Sequence, residues 1–315
     1  MAMRSVVLLA ALWLGCGHVP WEQPNENWKR VESTRFIFQT DSSPDDHTPV
    51  IDRLEDVHEA LSISFFKDVQ IDKMEVLLFD SASDFRGVAP DGNVAGFFMP
   101  MVGTQKKGVL VFPLDSEFNL VASVAAHELA HAFLNAMHPE LPAWLHEGFA
   151  KYIGAVNVIE DHIAFDAGEI HGGYTYFADL VPLKRLFASK NRDFHGSAEL
   201  DHYMTSWLFM RELMASKVDN KKARFRQLVD RIATVKSPQE TMLAIEETFS
   251  VKLAEVESRM QTYHTNSRSG VGQAIQRTGM GAQVTREGRT AIVMTPADGN
   301  AVRALCVELR THTRF

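Results

Sequence analysis

Two histidines four residues apart, with a glutamate directly after the first, stand in the run AAHELAHAF as His127, Glu128 and His131. On an α-helix such positions project from one face a turn apart, so both imidazoles can reach one metal ion from the same side. Glu128 borders that face, where a carboxylate can take a proton from a water activated by the metal. The neighbours Val124, Leu129, Ala130, Phe133 and Leu134 are apolar, which predicts a buried helix. Two histidines and a glutamate inside such a helix need polar partners or a cation. In a chain with 13 histidines the pattern H-E-x-x-H can also arise by chance, so it needs a third ligand beside it.

A catalytic zinc takes three protein ligands and leaves a fourth position open. One known continuation places a glycine three residues after the second histidine and another histidine three beyond. Those positions are Leu134 and Met137, and His138 is one residue out of register. The other continuation is a glutamate on the next helix, and LPAWLHEGFAKY supplies Glu147. Fifteen residues separate it from His131, enough to finish one helix, turn at 138–142 and pack a second helix across the first. The expected site is therefore one zinc ion per chain on His127, His131 and Glu147, with Glu128 as general base. His146 precedes Glu147 and points off the ligand face, which suits a surface or supporting role better than ligation. His58, His162 and His171 have no partners at ligand spacing. Trp144 and Phe149 read as core contacts that fix the helix of Glu147.

The elements that must position these residues follow from periodicity. Residues 35–40 (RFIFQT) alternate as a strand does and stop at a turn-rich stretch, 41–46, of aspartates, serines and a proline. From Val50 the apolar positions Ile51, Leu54, Val57, Leu61 and Phe65 recur at helical spacing. Residues 74–79 (MEVLLF) read as a buried strand, and 93–99 and 108–112 as shorter ones around a Gly/Lys-rich turn. After Pro113 the character turns helical: 118–137, then 143–153 with Pro142 at its start, an irregular glycine-rich stretch at 155–178, and helices at 178–188, 199–216, 221–235, 240–249 and 253–262. The fold class is α+β, a small mixed sheet packed on the H-E-x-x-H helix followed by a mostly helical subdomain. Its strand-rich part spans 32–113 and its helical part 114–262. Residues 263–315 form a tail of unknown structure, with arginines, no lysine and one strand-like run at 290–295.

The N-terminus carries a different signal. Arg4, the apolar stretch 6–14 and the small residues Gly15 and Cys16 have the order of a targeting segment, so residues 1–15 are read as a signal peptide and 16–31 as a tether. The ending Leu-Trp-Leu-Gly-Cys resembles a bacterial lipobox, which implies a lipid anchor on Cys16 and an exported protein of the cell envelope; plain secretion is the alternative. Only Cys306 then remains as a thiol, so no disulfide framework is expected, and Cys306 is structural or incidental. The net charge of -8 argues against a nucleic-acid partner.

HELAH paired with P-x-W-L-x-E-G-x-A-x-Y resembles the gluzincin metallopeptidases, most closely the peptidase MA-like family. The resemblance covers residues 30–262, including RFIFQTD, VLLFDSASDF, the GFF before the first zinc helix, and YMTSWLFMREL. It implies a thermolysin-like core and a zinc peptidase whose partner is a peptide or protein substrate bound along an edge strand, for which residues 109–112 are the candidate. It also implies an oxyanion donor on the YMTSWLFMREL helix, Tyr203, with His195 and His202 as rivals; packing beside Met204 and Trp207 is the other reading of Tyr203. Where thermolysin-like enzymes carry an aspartate four residues after the glutamate ligand, this chain has Lys151. Support for the ligands must then come from elsewhere. Two further functions suit the same residues: a non-catalytic envelope lipoprotein with a structural metal, and a zinc hydrolase of a non-peptide amide.

Overall fold

The computed structural model describes residues 27–89, 95–102, 107–114, 118–159, 162–165, 178–194, 199–268, 281–285 and 293–312. The signal segment, Cys16, the tether up to residue 26, His171 and His195 lie outside these residues. The strands are β1 (Lys29–Glu32), β2 (Phe36–Thr40), β3 (Met74–Phe79), β4 (Phe97–Val102), β5 (Lys107–Pro113), β6 (Val156–Ile159), β7 (His162–Phe165), β8 (Gly281–Gln283) and β9 (Val293–Pro296). The helices are α1 (Pro44–Ser64), α2 (Ala82–Val88), α3 (Phe118–Met137), α4 (Ala143–Gly154), α5 (Leu183–Leu186), α6 (Glu199–Met214), α7 (Lys221–Ile232), α8 (Pro238–Phe249), α9 (Leu253–Arg268) and α10 (Gly299–His312).

The fold is α+β. A six-stranded sheet runs in the order β4-β5-β3-β2-β1-β9. It is mixed, with β2, β3 and β5 parallel and the β4–β5, β1–β2 and β1–β9 pairs antiparallel. The continuous apolar run of β3 has a direct cause: both faces of the sheet are covered. Val76, Leu78, Leu110 and Phe112 join the main core with α1 and α3. Leu77, Phe79, Val109 and Val111 point the other way, against Phe85 and Val88 of α2 and Val302, Cys306 and Leu309 of α10. Beyond α3 lie α4 and then α6, so the H-E-x-x-H helix is sandwiched between sheet and helical layer. β6, β7 and β8 form a separate antiparallel sheet.

Four expectations need correction. The strand at 109–112 is interior, held between β4 and β3; the edge beside α3 is β4. Residues 29–31, read as tether, belong to strand β1, and Trp28 before it is buried; a strand of four residues with one core position, Val31, is too short to show alternation. The helix at 178–188 shrinks to the single turn α5, because Pro182 holds the chain extended before it. The tail is built into the molecule: β9 adds to β1, β8 adds to β7, and α10 covers the back of the sheet. Among the described residues no helix is long and apolar enough to cross a membrane.

Candidate metal centre

The long helix α3 is apolar on nearly every side, as a helix between two layers must be. Ala125, Ala126, Leu129, Ala130, Phe133 and Leu134 are all buried. Among its polar residues, Glu128 reaches toward β4, and His127 and His131 face Glu147 of α4. That helix starts at Pro142, whose carbonyl accepts from the amides of Leu145 and His146. Trp144 anchors it against Phe187 and Phe209, with ring centroids 5.0 and 5.8 Å away, and Phe149 stacks on Phe225 at 4.1 Å. Gly148 lets α4 approach α6 closely: a Cβ there would sit 2.6 Å from the carbonyl oxygen of Ser206. These contacts fix the rotation of α4 and with it the direction of Glu147.

Three ligand atoms converge. Nε2 of His127 lies 3.1 Å from Nε2 of His131, and each is 3.7 Å from Oε2 of Glu147. Two ligand bonds of about 2.1 Å at a tetrahedral angle span about 3.4 Å, so these separations fit a single first-row cation. The donor set, two imidazoles and a carboxylate, is one that zinc accepts. The three side chains are partly buried, keeping 18, 16 and 19% exposure. Burial keeps both imidazoles in the neutral, ligating form. Desolvation, then the repulsion that protonation would meet from His131 and Lys151, holds His127 well below the usual histidine range. Desolvation and Lys151 bring His131 down to about 4.

Each histidine is also held from behind. The ring of His127 hydrogen bonds to the backbone carbonyl of Ala150. Nδ1 of His131 lies 3.4 Å from Nδ1 of His146. The ammonium of Lys151 lies 5.7 Å from the centroid of the Tyr203 ring. A sequence cannot reveal a carbonyl partner, and His146, one residue before a ligand, gives no spacing signal of its own.

Glu128 is 9% exposed, and burial followed by the negative charge of Glu147 pushes its carboxyl up to about 8. The Phe98 amide of β4, donating to that carboxylate, and the charge of Lys151 work in the opposite direction. Glu128 thus ties α3 to the edge strand. The hydroxyl of Tyr203 hydrogen bonds to Glu147, and the phenol is held protonated by burial and then by the charges of Glu147, Glu199 and Glu128. His202 is buried against Phe194, at 5.3 Å between ring centroids. The structure therefore gathers His127, Glu128, His131, Glu147 and Tyr203 at one place. No known protein-family model matches the sequence, and no functionally curated protein matches it.

Proposed function

We propose that the protein is a zinc-dependent peptidase, the activity that its resemblance to gluzincins implies. The observation that carries the reading is the meeting of ligand atoms of His127, His131 and Glu147 within 4.8 Å of one another, with Glu128 buried beside them. A zinc ion held by those three would supply a Lewis acid that polarises a carbonyl and makes water more acidic. Glu128 takes the proton of the attacking water and returns it to the leaving amine. Tyr203 remains protonated and donates to the developing oxyanion. The outward edge of β4 ends the sheet directly beside Glu128, so an extended peptide adds there as a further strand with its carbonyls presented to the site.

The test is Glu128→Gln. Cleavage of casein or a peptide library should fall by about 10²–10⁴-fold, while metal analysis still finds about one zinc per chain. Unchanged cleavage, or a wild type that binds zinc and cleaves no peptide, rejects the peptidase reading. We place the protein in the cell envelope, tethered by acyl chains on Cys16. Cys16→Ser should then move it from the membrane to the soluble fraction on cell fractionation.

A further inference from the structure

We infer that His146 is a positioning residue for the metal centre, holding His131 in the tautomer that ligates through Nε2. The inference rests on the metal reading above and concerns how the second histidine is kept ready.

His131 presents Nε2 toward His127 and Glu147, so a neutral ligating ring must carry its proton on Nδ1. That Nδ1 is 3.4 Å from Nδ1 of His146, whose ring lies nearly parallel, with centroids 5.6 Å apart and planes inclined by 30°. A ligating His131 has only its Nδ1–H to offer at this contact, and only a neutral His146 has a lone pair on Nδ1 to receive it. One nitrogen must therefore donate and the other accept. If His131 ligates, its Nδ1–H donates and His146 accepts on Nδ1, carrying its own proton on Nε2. The opposite arrangement puts the His131 proton on Nε2, the atom a cation needs free. The contact is a tautomer lock of the kind a carboxylate or carbonyl usually supplies behind a metal-bound histidine. Ala150 plays that part for His127. His146 can play it because α3 and α4 pack directly against each other, which brings the residue beside one ligand against the ring of another.

The chemistry of the side chain gives the test. In asparagine, Oδ1 occupies the place of the histidine Nδ1 and is an acceptor; leucine keeps the bulk and accepts nothing. Zinc affinity is measured by competition with a chromophoric chelator, using the full chain. His146→Leu should weaken binding by about 10–100-fold, and His146→Asn should stay within about threefold of wild type. Equal affinity of His146→Leu and wild type overturns the inference, as does an equal loss in both variants. Circular dichroism of each metal-free variant reports whether it is folded; should a variant misfold, the tautomer of His146 is read instead from ¹⁵N shifts of the zinc-loaded wild type, where ε-protonation is expected and δ-protonation or a charged ring overturns the lock. His127→Ala keeps the two readings apart. If wild type binds zinc and His127→Ala does not, a failure at His146 rejects the lock alone. If wild type binds no zinc, the metal reading falls and takes the lock with it.

Discussion

Tyr203 has two roles that a single atom separates. As a packing residue it needs its ring, which stands edge-on to Phe194 at 5.5 Å between centroids. As an oxyanion donor it needs the hydroxyl that now bonds to Glu147. Tyr203→Phe keeps the first and removes the second. We expect kcat for peptide cleavage to fall by about 10²–10³-fold with KM little changed. A variant with wild-type kcat would return Tyr203 to the core. Lys151 stands where thermolysin-like enzymes carry an aspartate, as the sequence already showed. The ligands nonetheless have partners, because a carbonyl or a second imidazole can hold an imidazole ring as a carboxylate does.

At the scale of elements, the site depends on how closely α4 approaches its neighbours. Gly148 decides the distance to α6. In an exposed helix a glycine-to-alanine change stabilises by about 1 kcal/mol. Here the added methyl would meet a backbone oxygen at 2.6 Å, and backbone cannot swing aside as a side chain can. Gly148→Ala should therefore destabilise by about 1–3 kcal/mol, read by urea unfolding of the metal-free protein. A neutral or stabilising result would mean that the α4–α6 contact is looser than the structure has it. Of the sheet, β2, β3 and β5 were legible as runs of apolar or alternating residues. β1 was not, being four residues long, and neither was β8 of the second sheet, with three. Nor was the position of each strand in the sheet, because neighbours in space are chosen by packing across the whole fold.

For the whole molecule, buried histidines set the response to acid. Burial, followed by the charge of Arg35, lowers His58 to about 3, between the rings of Phe36 and Phe133. Burial also lowers His146 to about 3 and His131 to about 4. Above the ordinary value of about 6.5 these groups are neutral in both the folded and unfolded chain. As pH falls below it, the unfolded chain takes up protons that the folded one refuses. The contribution of these histidines is thus fully present above about 6.5 and is lost toward 3 to 4, by at most about 1.4 kcal/mol per pH unit for each group. Glu128, a single acid raised to about 8, works in the opposite direction against the three. Urea midpoints of the metal-free protein should be lower at pH 5 than at pH 7, and equal midpoints would contradict this. The C-terminal segment packs on the other side of the sheet, where Cys306, Val302 and Leu309 seal its back face. Burial pushes the Cys306 thiol up to about 12, which suits a packing role.

The sequence by itself determined the α+β class and the helix that carries His127, Glu128 and His131. It also marked Glu147 as the third candidate ligand on the following helix. Helical spacing and the number of residues between two helices are local quantities, and they restrict which side chains can share a face. Tertiary structure alone decided that β4 and not β5 is the edge beside Glu128, that β9 and α10 complete the sheet, and that Ala150 and His146 stand behind the two imidazoles. Those relations join residues far apart in the chain or on different helices, and they depend on which apolar faces bury together. No periodicity within a single segment records that choice.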